Sequence, residues 1–415
     1  MTGAPRAWSG VAAILLFAGS CAPPEPNPTP VPVAVAPDPQ VRIGVILNAR
    51  RVTIGGGGGL RISDPMEGEL RTTADGASAD AVVRGADVSL LDTRGPVTRQ
   101  ILLIEPVNVG STLRLNGREY RGTLELRRSD SGVTVINTVS LEAYLGGVVA
   151  AELGTRSNTD FEALKAQAVV SRTYAIRNQT RWRDRGYDLN ADASDQVYAG
   201  ASAEDSLASA AVVATRGQII TFNHEPIDAF FSSTCGGRTE DGSAAFAGAR
   251  HPYLRAVDDV DPNGTPWCAI SPRFQWTAGW SASQLATILR RTLTAEGLPG
   301  GRAGEITDVR VAAHTASGRV ATVEFVGRNG ATPVSGQAIR RVLSPPEGGI
   351  LRSTSFTIRI SRTGGRIERV DIDGQGNGHG VGMCQWGAIG RSRAGEDYQT
   401  ILASYFPGTE IEPAY

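Results

Sequence analysis

Apolar positions in the middle of the chain follow a helical period. From Leu141 to Val149 they recur at spacings of three and four residues, which is typical of an amphipathic helix, and Gly154 is placed to end that helix. Glu152 continues the apolar stripe, because eleven steps of ~100° bring it back to within about 20° of Leu141. We therefore expect the Glu152 carboxyl group to lie against apolar surface, whereas Glu142 points elsewhere. Burial near the negative end of a helix dipole opposes ionisation, which suits a general acid.

A second helix is predicted directly after the first. The segment Thr159–Glu162 has the T-x-x-E form of a capping box, and Phe161–Arg177 continues it as a helix. Lys165 and Arg172, seven residues apart, share one face. If the two helices pack as a hairpin, Glu152, Lys165 and Arg172 converge into a site that protonates a leaving group and binds a polar substrate. The alternative is that both cations are solvated surface residues and Glu152 lies at a frayed helix end.

Short β-type runs and further helical patterns surround this pair. The strand-like runs before it, separated by Gly, Asn and Asp turns, are Val41–Leu47, Ile101–Ile104, Ser111–Leu115, Thr123–Leu126 and Val133–Ile136. Predicted later elements are helices at Ala203–Thr215, Gly279–Glu296 and Tyr398–Tyr405, a strand at Asp228–Phe231 and strands within Asp308–Val326. The pattern predicts an α+β fold. A β-rich part, residues 41–136, packs on a mixed α+β part, residues 137–415, that contains the central helical pair.

Composition and charge exclude several classes of function. The 41 basic and 42 acidic residues give a net charge of −1, so nothing in the overall charge favours nucleic acid or an anionic membrane surface as a partner. The five glycines at 55–59 lack the strand-to-helix setting and the Gly-Lys-Ser/Thr ending of a phosphate-binding loop. We therefore expect a loop there rather than a nucleotide site.

The first 40 residues predict export. Residues 1–21 combine a positive Arg6, an apolar run too short to span a bilayer and small residues before Cys21, which is a secretory signal pattern. The Gly-Ser-Cys ending resembles a bacterial lipoprotein cleavage site, with Cys21 as the lipidated residue. Plain cleavage and secretion is the alternative, because Ala18 stands where leucine is usual. Residues 22–40 are Pro-rich and predict an extended linker that tethers an envelope protein to a membrane.

Five long, ordered motifs carry a resemblance to a known family. They are VINTVSLEAYLGGVVAAEL, FEALKAQAVVSRTYA, FFSSTCGGRTED, HPYLRAVDD and GHGVGMCQWGA. Over nearly all of the chain after residue 40 they resemble the SpoIID/LytB family, the peptidoglycan-acting proteins related to sporulation stage II protein D and the amidase enhancer LytB. The resemblance implies a glycan-binding groove in residues 137–415. It also implies one of two activities: a lytic transglycosylase that cuts strands between N-acetylmuramic acid and N-acetylglucosamine, or an amidase enhancer. Peptidoglycan strands, preferably stripped of peptide by an N-acetylmuramoyl-L-alanine amidase, are the implied partners.

The resemblance assigns roles residue by residue. Glu152 matches the catalytic glutamate, and Lys165 and Arg172 match basic residues of the following helix. Two departures from the family pattern are Leu153-Gly154, which replaces Met-Pro, and a longer TRSNTD link to the second helix.

Two later motifs supply further candidates for substrate binding or support. Ser233 belongs to a hydroxyl-rich turn that lies beside the family's active site, although a simple tight turn explains the same residues. His379 and Gln385 stand in a Gly-rich block, where His379 is either a substrate-site residue or a structural histidine. A serine hydrolase that uses Ser233 and His379 is disfavoured, because Ser233 lacks the G-x-S-x-G frame.

The cysteines leave two interpretations open. If Cys21 is lipidated, Cys235, Cys268 and Cys384 remain, and a Cys235–Cys268 disulfide plus one free thiol is the simplest arrangement outside the cell. Some family members hold zinc near the active site through Cys and His, and these three cysteines with His379 form such a ligand set. No C-x-x-C spacing supports the metal, so we expect no cofactor.

A single glutamate is sufficient for a lytic transglycosylase. Ordinary glycosidases use two carboxyl groups. Here the C6 hydroxyl of muramic acid attacks its own anomeric carbon, so Glu152 acts first as acid and then as base, while Lys165 and Arg172 orient the substrate. The competing hypothesis is a non-catalytic lipoprotein that binds the wall and stimulates an amidase.

Overall fold

The computed structural model describes residues 1–4, 38–130, 132–299, 306–328 and 330–415. Residues 5–37, which hold most of the predicted signal sequence, its Cys21 and nearly all of the Pro-rich linker, therefore fall outside the described residues, and both segments stay predictions. Within the described ranges the chain is built of helices and several separate sheets, which confirms the predicted α+β class. None of the helices in these ranges is long and apolar enough to cross a membrane.

Twelve strands form the N-terminal region and pair into two antiparallel sheets. They are β1 (Gln40–Ala49), β2 (Val52–Gly56), β3 (Leu60–Asp64), β4 (Gly68–Thr72), β5 (Ser78–Arg84), β6 (Asp87–Asp92), β7 (Gly95–Arg99), β8 (Ile101–Pro106), β9 (Leu113–Leu115), β10 (Arg118–Tyr120), β11 (Thr123–Ser129) and β12 (Gly132–Ser140). One sheet has the order β1-β12-β11-β8-β3-β4, with the later short strand β13 (Leu189–Asn190) added in parallel beside β1, and the other has the order β10-β9-β2-β5-β6-β7. Alternate apolar side chains of both sheets, such as Ile43 and Ile54, are fully buried in one shared core, as expected for strands with one buried face.

The predicted helical pair follows directly from the last of these strands. Helix α1 (Leu141–Leu153) begins at the N-cap Ser140, whose Oγ accepts a hydrogen bond from the Ala143 N–H, and ends at Gly154 with φ 69°. Helix α2 covers Phe161–Arg177 as predicted. The predicted division after residue 136 falls inside β12, so the β-rich part continues without interruption into α1.

The capping box before α2 differs from the predicted one. Ser157 and Asp160 form it around a short 3-10 helix, Asn158–Asp160. Glu162 turns outward instead: its Oε1 accepts from Lys165 Nζ at 2.7 Å, and its Oε2 accepts from the Tyr398 N–H at 3.0 Å. The Thr159–Glu162 box was therefore wrong, because a tertiary contact engages the glutamate.

The remaining elements divide between the first core and a second one. The first core is completed by β13 (Leu189–Asn190), α3 (Ser206–Ala214), β14 (Gln218–Phe222), β15 (Glu225–Pro226), β16 (Phe231–Ser232) and α4 (Gly242–Ala245). The second core comprises β17 (Gln275–Ser281), α5 (Ala282–Ala295), β18 (Ile306–His314), β19 (Val320–Gly327), β20 (Gly330–Ser335), α6 (Ala338–Val342), β21 (Phe356–Thr363) and β22 (Arg366–Gln375). The chain then returns to the first core through β23 (Met383–Cys384), α7 (Gln385–Arg393), α8 (Tyr398–Tyr405) and β24 (Glu410–Pro413).

Most predicted later elements exist, with shifted bounds. The helix predicted at Gly279 begins at Ala282, because residues 275–281 form β17 and Ser281 caps the helix through a capping box with Gln284. Of the strand predicted at Asp228–Phe231, only its last residue lies in β16. That short strand matters, because it pairs in parallel with β23 and so brings the two Gly-rich motifs side by side.

Candidate functional site

A groove of about 670 Å³ lies where the C-terminal end of α1, the loop before residue 198, β16 and the Gly-rich block before β23 meet. The block packs closely on β16: a Cβ atom on Gly378, whose φ is +116°, would lie 2.6 Å from the Ser232 Cβ. Glycine at this position therefore permits the close approach that forms the groove wall. Four of the sequence-predicted residues, Glu152, Ser233, His379 and Gln385, line this groove.

Glu152 extends into the groove from the last turn of α1. Its Oε1 accepts a hydrogen bond from the Val197 N–H at 2.8 Å, and its Oε2 accepts one from Gln385 Nε2 at 3.2 Å. Burial raises the pKa of the Glu152 carboxyl group, and these two hydrogen bonds offset only part of the rise. No lysine, arginine or histidine among the described residues pairs with it. The group is thus more readily protonated than an ordinary glutamate.

A polar stripe on α2 supports this arrangement. Gln385 Nε2 also donates to Gln167 Oε1 at 3.3 Å, and Gln167 Nε2 donates to Ser171 Oγ at 3.0 Å. Tyr174 and Asn178, which continue the stripe at helical spacing, line the groove. This side of α2 therefore leads from the buried Gln167 to the groove lining at Tyr174.

The two other carboxylates of the groove are fully engaged. Asp195 accepts hydrogen bonds from the Tyr174 hydroxyl at 2.9 Å, Arg181 Nη1 at 3.0 Å, Trp182 Nε1 at 2.7 Å and the Asn190 N–H at 2.8 Å. Asp228 pairs with Arg177 at 3.2 Å and with His251 at 2.9 Å. Of the described acidic residues that line the groove, Glu152 alone has no cationic partner.

Arg172 does not reach Glu152, so the predicted convergence was wrong. It is fully buried, and its Nε and Nη2 donate to the two carboxylate oxygens of Glu142 at 2.7 and 2.8 Å. Its Nη1 donates to the Gln218 carbonyl at 3.1 Å and its Nη2 to the Val212 carbonyl at 3.3 Å. Burial opposes ionisation of Glu142, but the Arg172 guanidinium outweighs it and lowers the pKa of that carboxyl group. Arg172 therefore ties α1 to α3 and β14.

Lys165 also lies away from the groove. Its Nζ bonds Glu162 and lies 4.9 Å from the Phe161 ring centroid and 5.5 Å from that of Tyr398, so it faces α8. The reason is helical geometry: one residue turns the side chain by ~100°, so Arg172 leaves the face that Ser171 occupies. The shared face of the two cations was correctly predicted, but a different face lines the groove.

His379 and Ser233 line the groove without forming a catalytic pair. His379 Nδ1 accepts from the Val381 N–H at 3.1 Å, and its ring lies edge-on to Phe246 with centroids 5.1 Å apart. Burial and the charge of Arg340 lower the pKa of His379 to about 4, so the ring is neutral near pH 7. Ser233 Oγ lies 3.3 Å from Thr234 Oγ1. In the part of the chain that the structure describes, no hydrogen bond joins Ser233 to His379.

Sequence reasoning missed two groups of the groove. One is the backbone N–H of Val197, which carries no signal in the residue type. The other is Arg340 of α6, which donates to the Leu351 carbonyl at 2.8 Å and to Gln337 Oε1 at 3.1 Å. No carboxylate of the described ranges pairs with Arg340, and burial with neighbouring positive charge lowers its pKa to about 10. It places a cation from the second core at the groove.

The cysteine expectations need correction. Cys235, Cys268 and Cys384 are buried free thiols, and the Sγ atoms of Cys235 and Cys268 lie 3.7 Å apart, well beyond the roughly 2.05 Å of a disulfide. The predicted Cys235–Cys268 disulfide is therefore absent. His379 is not part of this cluster; Asp259 is, with its Oδ2 at 3.1 Å from Cys235 Sγ.

Comparison with known proteins places this arrangement in a family. Residues 129–222 match the family described as "Stage II sporulation protein", and residues 268–382 match a domain of unknown function (DUF8618). The chain is 31% identical over 294 residues to Stage II sporulation protein D of Bacillus subtilis, over 67% of this chain and 76% of that protein. The chain belongs to the SpoIID/LytB family. Glu152 lies within the matched 129–222 segment, whereas Arg340 comes from the 268–382 segment.

Two further relatives span much of this SpoIID/LytB chain. An uncharacterized protein of Brachyspira hyodysenteriae is 31% identical over 298 residues, which cover 72% of this chain and 73% of that protein. The amidase enhancer of Bacillus subtilis is 27% identical over 378 residues, which cover 81% of this chain but 50% of the enhancer. Among these relatives, only the amidase enhancer carries a name that states an activity.

Proposed function

We propose that this SpoIID/LytB protein acts in the cell envelope on peptidoglycan, as a lytic transglycosylase with Glu152 as its acid and base. The observation that carries the proposal is the state of Glu152. It is the one groove carboxylate of the described residues without a cation, and burial raises its pKa. A carboxyl group that holds its proton more readily than an ordinary glutamate suits the general acid that glycosidic bond cleavage requires.

The reaction needs no second carboxylate. Glu152 donates its proton to the oxygen of the glycosidic bond, and the bond from the muramic anomeric carbon to that oxygen breaks. The C6 hydroxyl oxygen of the same sugar attacks the anomeric carbon, and the Glu152 carboxylate takes the hydroxyl proton. The products are a 1,6-anhydromuramic end and a new free hydroxyl end, with no water consumed. The engagement of Asp195 and Asp228 in ion pairs argues against a two-carboxylate hydrolysis.

The neighbours of Glu152 suit both halves of this cycle. The Val197 N–H and the Gln385 amide stabilise the carboxylate that forms when Glu152 gives up its proton, as hydrogen-bond donors do for anions. They also fix its orientation for the second transfer. Gln385 is itself held by Gln167, so the donor does not need to reorganise during the reaction.

Arg340 accounts for a preference among strands. Removal of the stem peptide leaves a free lactyl carboxylate on each muramic acid, and Arg340 is an unpaired cation among the described groove residues. A guanidinium bonds a carboxylate by charge-assisted hydrogen bonds. We therefore assign Arg340 to binding that carboxylate, which favours peptide-stripped strands.

The decisive experiment compares glycan products of matched variants. The full-length chain carrying Cys21→Ser, which removes the predicted lipidation site, is incubated with peptide-stripped strands, and the products are identified by mass spectrometry. Glu152→Gln keeps the shape of the side chain but removes the proton, so we expect anhydromuramic ends to fall by about 10²-fold or more. Glu324→Gln, at a surface ion pair of the second core, is the matched control and should keep wild-type activity. Equal cleavage by Glu152→Gln, or reducing ends in place of anhydro ends, would refute the proposal.

A second candidate is a non-catalytic amidase enhancer. The alignment with the amidase enhancer over 81% of this chain favours it, as does Leu153-Gly154 in place of the family's Met-Pro. Under this function the strands bind but stay intact, and the wild-type protein and the Glu152→Gln variant raise the rate of an N-acetylmuramoyl-L-alanine amidase equally. An amidase assay with both proteins distinguishes the two functions, because only the transglycosylase depends on Glu152.

A further inference from the structure

Four buried side chains behind the groove converge on one point. Cys235 follows β16, and Cys384 ends β23. Cys268 lies in the 3-10 helix Trp267–Ile270, and Asp259 lies in the loop between α4 and that 3-10 helix. All four side chains are buried, and one ligand atom from each lies within 4.8 Å of every other. Three thiols and a carboxylate that span positions 235 to 384 of the sequence therefore share one small volume.

The spacing of these atoms fits a tetrahedral metal site. A zinc–sulfur bond is about 2.3 Å, so two thiolates of a tetrahedron lie roughly 3.8 Å apart; the Cys235 and Cys268 sulfurs are 3.7 Å apart. Asp259 Oδ2 lies on the same side, 3.1 Å from Cys235 Sγ. The distance between the Cys235 and Cys268 sulfurs is too long for a disulfide and suits two ligands of one ion.

The surrounding groups orient these ligands. Backbone N–H groups donate to sulfur: Cys235 N to Cys384 Sγ at 3.1 Å, Gly387 N to Cys384 Sγ at 3.3 Å and Gly237 N to Cys235 Sγ at 3.4 Å. The Asp259 Oδ1 accepts from the Tyr405 hydroxyl at 2.8 Å and Arg391 Nε at 3.3 Å, which leaves Oδ2 aimed at the sulfurs. Such hydrogen bonds to the ligands are a regular part of protein metal sites.

A buried arginine supplies an independent indication of negative charge here. Arg319 is 2% exposed, and its Nε and Nη1 have no hydrogen-bond partner. Its Nη2 donates to the carbonyl oxygen of Cys235, and no carboxylate of the described residues forms an ion pair with it. A buried, unpaired guanidinium costs several kcal/mol. Thiolates in the cluster would balance its charge, whereas neutral thiols would not.

We propose that Cys235, Cys268, Cys384 and Asp259 bind one divalent ion of the zinc class in a closed, structural site. Three thiolates and one carboxylate around a divalent ion leave a net charge of −2, which Arg319 and Arg391 offset. Because four protein ligands fill the tetrahedron, no position is open for substrate. The ion stabilises the groove wall, and this assignment does not depend on the proposed cleavage activity.

The position of the ligands explains what the ion would hold. Cys268 precedes the second core and Cys384 follows it, so the ion joins the two points at which the chain leaves and re-enters the first core. Gln385 is adjacent to Cys384 and donates to Glu152. The site therefore fixes the distance between the groove wall and the end of α1.

Metal titration of the full-length chain carrying Cys21→Ser tests this inference, because the three cluster cysteines are then its only thiols. The protein is reduced, stripped with a chelator and titrated with Co²⁺ and then Zn²⁺. We expect one equivalent of Co²⁺ with thiolate-to-cobalt absorption and the visible bands of a tetrahedral ion, both lost when Zn²⁺ displaces it. Cys268→Ser and Asp259→Asn should each weaken binding by more than about 10-fold, which is the loss typical when only a hydrogen-bond partner of a ligand is removed.

Two controls separate this site from other metal binding. His379→Ala removes the histidine that the sequence had suggested and should leave stoichiometry and spectrum unchanged. His224→Ala removes one member of an exposed cluster formed with Glu410 and Glu412. This variant should also leave the stoichiometry and the spectrum unchanged. Cys268→Ser could fail to fold. The affinity is therefore also measured on Asp259→Asn and, by competition with a chromophoric chelator, on the unmutated cluster.

Three results would overturn the inference. One is less than about a tenth of an equivalent of bound Co²⁺ while all three thiols react with a thiol reagent. Another is a Cys235–Cys268 disulfide in the protein purified without reductant, identified by peptide mass. The third is loss of the bound ion in His224→Ala with retention in Cys268→Ser.

Discussion

Replacing Arg172 by methionine distinguishes a structural role for this residue from a role in substrate binding. Its guanidinium makes four hydrogen bonds, two to Glu142 and two to backbone carbonyls of α3 and β14. The side chain is 0% exposed and that of Glu142 is 10% exposed. Methionine has a similar length and no charge, so the substitution removes the bonds with little change in volume.

The expected loss of folding stability is large because Glu142 stays buried after Arg172 is replaced. Breaking a buried ion pair by removing one member costs about 3–5 kcal/mol, and Glu142 would retain only the Gly217 N–H and the Tyr415 hydroxyl. The double variant Glu142→Leu with Arg172→Met leaves no buried charge and should be less destabilised than the single variant. Arg310→Ala, at an exposed pair with Glu324, should change stability by about 1 kcal/mol or less.

The pH dependence of this loss has a defined sign. The folded-state pKa of Glu142 is lowered, so the pair stabilises the fold above the unfolded-state pKa of about 4.3 and loses its contribution as the pH falls through the folded-state value. The difference in the free energy of unfolding between wild type and Arg172→Met should therefore be at its maximum near pH 7 and decrease in acid.

Urea unfolding measures these differences. The two apolar cores can unfold separately, so tryptophan fluorescence, to which Trp276 and Trp280 of the second core contribute together with tryptophans outside it, is recorded beside far-UV circular dichroism. Arg172→Met should lower the midpoint of the transition of the first core. If stability stays within about 0.5 kcal/mol of wild type, the range of ordinary surface substitutions, while glycan cleavage is lost, the structural assignment of Arg172 is wrong.

Three further predictions concern the groove. Gln385→Ala removes a donor that favours the Glu152 carboxylate, so the pKa of Glu152 rises and the high-pH limb of the cleavage rate moves to higher pH; a shift to lower pH would contradict this. The pKa of His379 is lowered to about 4, so its imidazole NMR signals should stay constant from about pH 5.5 to 8, and a midpoint within that range would contradict its buried neutral state. Arg340→Gln should raise KM for peptide-stripped strands by about tenfold, as expected for loss of a charged hydrogen bond, with partial recovery in Arg340→Lys; an equal KM would remove Arg340 from substrate binding.

Local patterns determined the elements around Glu152. The bounds of α2 and α8 match the predicted helices, although Ser157 and Asp160 form the capping box before α2, and α1 ends at the predicted Gly154. The orientation of Glu152 along the apolar stripe also follows from helical period alone. These features depend on residues within a few positions along the chain, so the local sequence is sufficient to predict them.

Long-range packing decided the rest of the candidate site. Periodicity places Lys165 and Arg172 on one face of α2 but does not say what covers that face; α3, α8 and Glu142 do. Asp259 has no local motif, and only the fold brings it beside three cysteines that are far apart in sequence. Arg340 reaches the groove because the second core folds back on the first. The sequence by itself determined which helix carries the acid, whereas the tertiary structure decided what surrounds it, because burial and charge pairing depend on residues that only folding brings together.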